Sequence, residues 1–148
     1  MFNFEFYNPT RIIFGKDRIQ ALDRLIPAEA RVLVLYGGGS VKQFGTLDKV
    51  RKALANRTII EFGGIEPNPR FATLMGAVEI VRAEDIDFLL AVGGGSVMDG
   101  TKFIALAACH QGNAEEILTS RPKPVQVTSA IPLGTVVTLP ATGSEMNS

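Results

Sequence analysis

The chain has 148 residues, 46% of them hydrophobic and 20% charged, which is enough apolar material for one packed core. Its 15 basic residues balance its 15 acidic ones, so it lacks the excess positive field that nucleic acid or an anionic membrane surface requires. Cys109 is the single cysteine, which excludes an internal disulfide and fits a reducing, cytoplasmic setting. The N-terminus has no basic stretch followed by an apolar one, as a signal peptide would, and the apolar runs are too short to span a bilayer.

Phe4 and Phe6 alternate with Glu5, Asn8 and Pro9 make a turn, and residues 11–14 (RIIF) follow, a pattern that predicts an N-terminal β-hairpin. Ile19, Leu22, Leu25 and Ile26 predict a helix that stops at Pro27. Residues 32–36 (VLVLY) predict a strand buried on both faces, as in parallel sheets. Gly37, Gly38, Gly39 and Ser40 follow at once, and then a helix carrying Val41, Phe44, Leu47, Val50 and Leu54, with Arg51, Lys52 and Arg57 on its solvated face.

The unit then repeats. Residues 58–62 predict a strand, 63–69 a loop rich in glycine and proline, and Phe71, Leu74, Met75, Val78 and Val81 a helix. Residues 88–92 (FLLAV) predict a third buried strand, followed by Gly93, Gly94, Gly95 and Ser96 and by a helix that is apolar on most sides through 103–108. A short helix after Asn113, a surface loop at 121–124, strands at 125–128 and 135–138, and a loop from 140 to 148 complete the chain. Strands alternating with helices in this way give an α/β fold, a parallel sheet flanked by helices.

The two Gly-Gly-Gly-Ser turns carry the chemical signal. Glycine lets a backbone approach a ligand closely, and the helix that follows offers unpaired N–H groups to an anion. Ligands of open α/β sheets bind beyond the carboxyl ends of strands, so two such turns point to a phosphate-bearing ligand spanning both. A tight strand-to-helix turn would explain either one alone. Neither matches a standard fingerprint. The G-x-G-x-x-G pattern begun at Gly93 meets Met98 where it needs glycine, and begun at Gly37 it meets Lys42. The P-loop spacing from Gly95 to Gly100 is followed by Thr101 and Lys102 in the wrong order.

Asp99, expected in the first turn of the helix after the second glycine turn, is either a dipole-stabilising carboxylate or a polar group of the crevice. His110, the single histidine, reads as a surface residue at a helix end, and Cys109 as a small buried hydrophobe. Residues 138–145 (TLPATGSE) concentrate hydroxyls after a strand, as a helix cap would or as a third wall of the same site would. Residues 37–47 hold no Asp or Glu. They offer the Ser40 hydroxyl and the Lys42 charge, which predicts NADP(H) rather than NAD(H), because NAD-selective sites commonly set a carboxylate against the ribose.

Residues 93–102 (GGGSVMDGTK), 66–69 (EPNP) and 141–145 (ATGSE) together resemble the iron-containing, group III, alcohol dehydrogenases. The turn at 36–40 (YGGGS) resembles that of the NADP-dependent butanol dehydrogenase or broad aldehyde reductase branch. The resemblance covers the whole chain. It implies a Rossmann-like N-terminal dinucleotide-binding domain, residues 1–148 here, and a helical C-terminal domain, absent from these residues, that holds iron or zinc. The metal would polarise an oxygen while hydride moves between nicotinamide and a primary alcohol or aldehyde.

By the same match, Gly94, Gly95 and Ser96 would hold the pyrophosphate. Thr138, Thr142 and Ser144 would line the phosphate and nicotinamide end, with Asn68 near the adenosine and Asp99 and Asn147 near the nicotinamide and substrate. The family's metal ligands, an aspartate and three histidines, lie downstream, so no metal ligand is expected here and the chain reads as a fragment or a natural truncation. The resemblance also implies a homodimer joined through N-terminal strands. A non-catalytic nucleotide-binding module would need the same pocket and stays open as the alternative. By themselves, these 148 residues are expected to bind cofactor weakly and to transfer no hydride.

Overall fold

Four strands line up in parallel, in the order β2-β1-β3-β4, in a computed structural model that describes residues 7–119, 127–141 and 143–147. They are β1 (Arg31–Tyr36), β2 (Thr58–Phe62), β3 (Phe88–Gly93) and β4 (Leu133–Val137). The register pairs Val34 of β1 with Glu61 on one side and Leu90 on the other. Both central strands are continuous apolar runs because both of their faces are covered. Val32, Leu33 and Leu35 are fully buried, as are Leu89, Leu90, Ala91 and Val92. Each such Val or Leu stabilises the fold by about 1.5–3 kcal/mol.

A 3-10 turn (Arg18–Ala21) leads into α1 (Leu22–Leu25), and β1 leads into α2 (Ser40–Gln43) and α3 (Thr46–Ala53). Leu22, Val41, Leu47 and Val50 from these helices meet Val32, Val34, Leu90 and Val92 on one face of the sheet. On the other face α4 (Phe71–Ala83) and α5 (Gly95–Cys109) cover Leu33, Leu35, Leu89 and Ala91. A short α6 (Glu115–Leu118) follows. The chain runs outward from β1 to β2, then returns across β1 to β3 and continues to β4. The winding therefore reverses between β1 and β3, which is where an open α/β sheet forms its crevice.

Several local expectations are corrected. The helix expected through 41–54 is broken: Gly45 takes φ 69°, a left-handed conformation that glycine adopts without cost, and the chain restarts at Thr46. Phe44, freed from the helical face, is 76% exposed. The first arm of the expected hairpin, at Phe4 and Phe6, lies outside the described residues. Residues 11–14 form no strand, and Ile12 and Phe14 are exposed, because a strand needs a paired neighbour to hold it. Residues 125 and 126 also lie outside the described set. Val127 and Thr128 are not in a strand, and β4 begins at Leu133, where its neighbour Leu89 is available to pair.

Arg57 departs most from its reading as a solvated helix residue. Its side chain is 3% exposed. It donates to the carbonyls of Pro27 at 3.0 Å and Ile26 at 2.7 Å, to the carbonyl of Asp23, and to Asp23 Oδ1 at 2.9 Å. Of these, the carbonyls of Asp23 and Ile26 belong to the helix end, whose last carbonyls have no partner within the helix. Arg82 of α4 does the same at the end of α5, donating to Ala107 at 2.8 Å, His110 at 2.9 Å and Ala108 at 3.2 Å. Cys109 is half-buried rather than buried. His110 does sit at a helix end, but its side chain is largely covered rather than on the surface.

Candidate functional site

Both glycine turns lie at the carboxyl ends of the adjacent strands β1 and β3. The side chain of Val97, in the first turn of α5, fills the gap between them. A Cβ at Gly93 would stand 2.7 Å from Val97 Cγ2, and one at Gly37 would stand 3.4 Å from the same atom and 3.1 Å from the Ile65 carbonyl. These two positions are glycine because the turns close on one another. Gly38 and Gly39 differ: a Cβ there would meet nothing within 4 Å. They face a cleft of ≈ 400 Å³ lined by Tyr36, Gly37, Gly38, Gly39, Lys42, Gly63 and Gly64.

The loops beyond the outer strands lean in on either side. Gly64 donates its backbone N–H to the Gly37 carbonyl at 3.1 Å, and Ile65 to the Tyr36 carbonyl at 3.2 Å, which ties the end of β2 to the first turn. Asn68, in a left-handed conformation at φ 54°, donates its backbone N–H to Ser96 Oγ at 3.4 Å and so sits beside the second turn. From the other side Thr138 donates its backbone N–H to the Gly93 carbonyl at 2.9 Å. Ser144 is buried. Thr142 lies outside the described residues.

The two turns differ in their electrostatics. Gly94 caps α5, a helix of fifteen residues, and the N–H groups of Gly95 and Ser96 have no acceptor within it. Ser40 heads only the four-residue α2, too short to add much dipole, so a charge must come from side chains there. Lys42 supplies one, with Nζ held 5.1 Å from the centroid of the Tyr36 ring. Asp99 stands one turn further along α5 than expected, because the helix starts at Gly95, and it is exposed. The dipole's pull on a carboxylate fades over that distance. Asn147 is held by Lys102 of α5, whose ammonium donates to its side-chain and backbone oxygens.

Behind the first turn lies a cluster that the sequence reading missed. Glu61 of β2 receives Arg51 Nε at 2.6 Å and Arg51 Nη2 at 2.9 Å, and the Tyr36 hydroxyl approaches it at 3.5 Å. Arg51 also donates to Asp48 Oδ1 at 2.7 Å. The hydrogen bonds from Arg51 hold the Glu61 carboxyl below the usual carboxylate range, against the opposing effect of burial, and Glu61 in turn raises the Arg51 guanidinium. The pair Gly63 and Gly64, which repeats the strand-then-glycine pattern of the other two turns, signals the third loop of the cleft but not the pairing of Glu61 with Arg51.

Three backbone-lined loops gathered where the winding reverses define the carboxyl-edge crevice of a doubly wound α/β protein. The chain belongs to the iron-containing alcohol dehydrogenase family, which matches residues 9–148. It is 57% identical over 149 residues to the NADPH-dependent aldehyde reductase YqhD of Escherichia coli, an alignment that takes in 99% of this chain and 38% of that protein. It is 49% identical to the probable NADH-dependent butanol dehydrogenase 1 of Bacillus subtilis, covering 100% of this chain and 38% of that one. The crystal structure of E. coli YqhD superposes with a TM-score of 0.93 over 98% of this chain and 37% of its own. That of NADH-dependent butanol dehydrogenase A from Thermotoga maritima, 38% identical, gives 0.91 over 98% and 37%. The chain therefore spans a little over a third of the length of these relatives.

The family takes its name from iron. Among the described residues no three His, Cys, Asp or Glu side chains come close enough to hold a metal ion, so these residues do not fit a metal site. No helix among them is long and apolar enough to cross a membrane.

Proposed function

We propose that this chain is the dinucleotide-binding domain of an NADP-dependent alcohol dehydrogenase or aldehyde reductase that moves hydride between nicotinamide and a primary alcohol or aldehyde. The observation that carries the proposal is the meeting of two Gly-Gly-Gly-Ser turns at the ends of β1 and β3, one open to a cleft with a lysine in its wall and the other heading a long helix. The pyrophosphate belongs on the Gly94, Gly95 and Ser96 side, where backbone N–H groups await an anion. The adenosine ribose belongs in the cleft of Gly37, Gly38 and Gly39, with Ser40 and Lys42 facing its 2′-phosphate. Thr138 and Ser144 line the nicotinamide end. Asp99 and Asn147 flank it on the α5 side, and Asn68 steadies the second turn through Ser96. The relatives include both NADPH-dependent and NADH-dependent enzymes, so the choice of NADP(H) rests on Lys42 in the cleft wall and on Ser40 beside it at the head of α2.

The test is the dissociation constant of each cofactor, for the wild type and for Ser40→Asp. NADPH is expected to bind at least about tenfold more tightly than NADH, a difference of ~1.4 kcal/mol, and the aspartate is expected to reverse the order by repelling the 2′-phosphate. Equal or tighter NADH binding by the wild type would overturn the proposal for NADP(H). A homodimer joined through the N-terminal segment belongs to the same reading, supported by Phe14, which is 94% exposed. Light scattering that gives a monomer mass at all concentrations would remove that part.

A further inference from the structure

We propose that Arg51, which lies outside the cleft, is a positioning and specificity residue for the 2′-phosphate, acting through Glu61, Tyr36 and Lys42. This rests on the cleft of Gly37, Gly38 and Gly39 being the ribose-phosphate site. A carboxylate near the end of β2 in such a fold is where a ribose 2′-hydroxyl would be accepted and a 2′-phosphate repelled. Glu61 is one residue from the end of β2, so left free it would favour the unphosphorylated cofactor.

It is not free. The Arg51 guanidinium engages both carboxylate oxygens in a fork, at 2.6 and 2.9 Å, the geometry in which arginine binds a carboxylate most strongly. Asp48, on the next turn of α3, steadies the guanidinium from outside at 2.7 Å. Asp48 is 72% exposed, so water screens its charge from the cleft. On its inner side Glu61 meets the Tyr36 hydroxyl at 3.5 Å. Tyr36 is buried, and the Gly63 backbone packs so closely that a Cβ there would stand 2.4 Å from its ring. The ring therefore has little room to move, and its free face carries Lys42 Nζ.

Arg51 thus does two things at once. It neutralises Glu61, which stands behind the cleft, and it keeps that carboxylate from drawing Lys42 off the Tyr36 ring. After the Arg51 hydrogen bonds, the Lys42 charge also helps to hold the Glu61 carboxyl low. With Arg51 gone, Glu61 becomes the nearest uncompensated anion for that lysine, and the cation is lost to the phosphate. The relation can be read only in three dimensions. Ile59 and Glu61 alternate with Ile60 and Phe62 along β2, and the α3-facing pair brings Glu61 under Arg51.

The experiment measures binding of 2′,5′-ADP and of 5′-AMP to the 148-residue chain by NMR titration, with thermal melts as a check of folding. Wild type, Arg51→Met, Glu61→Gln and the double variant are compared. Arg51→Met is expected to lower the ratio of 2′,5′-ADP to 5′-AMP affinity about fivefold or more through the loss of Lys42 and the uncovered carboxylate. The double variant is expected to restore the ratio, and Glu61→Gln alone to keep or raise it. A loss of mere packing would weaken both ligands alike and would not be rescued. A wild-type preference for 2′,5′-ADP that Arg51→Met leaves unchanged, or that the double variant fails to restore, overturns this inference and leaves the cofactor site standing. If Arg51→Met does not fold, a fall in the ratio with Glu61→Gln overturns the inference. Absence of any wild-type preference for 2′,5′-ADP overturns the NADP(H) reading and this inference with it.

Discussion

Replacing Arg57 by methionine is expected to lower the stability of the fold by about 2–3 kcal/mol, since each buried acceptor left without a donor costs ~1–3 kcal/mol. Arg57 lies between α3 and β2 and reaches back to the end of α1, where it donates to three carbonyls and one carboxylate. Methionine fills similar volume and offers no donor. Asp23 is 66% exposed and turns to water. The carbonyl of Ile26, a residue only 3% exposed, has no such recourse. Arg57→Lys keeps a charge and a donor but not the planar fork that spans several acceptors, so it should fall between the two. Urea denaturation with an unchanged m-value measures the effect. A change in Arg57→Met within about 0.5 kcal/mol, the range of an ordinary surface substitution, would show that the carbonyls are satisfied by other means.

Arg57 also marks the limit of what the sequence makes legible. Strands β1, β2 and β3 stand out because a parallel sheet covered on both faces writes itself as unbroken apolar runs, and each begins and ends within a residue of its expected position. The helices α4 and α5 follow from apolar spacing in the same way. Features set by one residue's backbone or by a distant partner are not written in periodicity. Gly45 breaks a helix whose apolar spacing continues through it, and Arg57 looks like a solvated cation until the end of α1 folds over it. The two Gly-Gly-Gly-Ser turns were legible as a pair because each follows a strand. Their division of labour was not: a Cβ at Gly37 or Gly93 would press on Val97, whereas one at Gly38 or Gly39 would meet only the open cleft. The cluster of Arg51, Glu61, Tyr36 and Lys42 draws on α3, β2, β1 and α2, and no spacing within one element announces it.

That division of labour makes the second turn a sharp test. Gly95→Val is expected to weaken cofactor binding by about 2 kcal/mol or more, roughly thirtyfold, with little loss of stability. Gly95 is the first residue of α5. A phosphate oxygen accepting from its N–H and that of Ser96 must come to about 2.9 Å, and a branched Cβ at that point takes up the space beside the approach. The folded state tolerates the change because valine is an acceptable residue at the start of a helix, costing less than ~1 kcal/mol in propensity. Gly93 provides the contrast. There a Cβ would collide with Val97 at 2.7 Å, so Gly93→Ala should cost stability first and affinity through the displaced turn. Isothermal titration with NADPH, paired with thermal melts of both variants, separates the two cases. A folded Gly95→Val that binds NADPH as tightly as the wild type would mean that the second turn only joins strand to helix, and the pyrophosphate would have to be sought elsewhere on the carboxyl edge of the sheet.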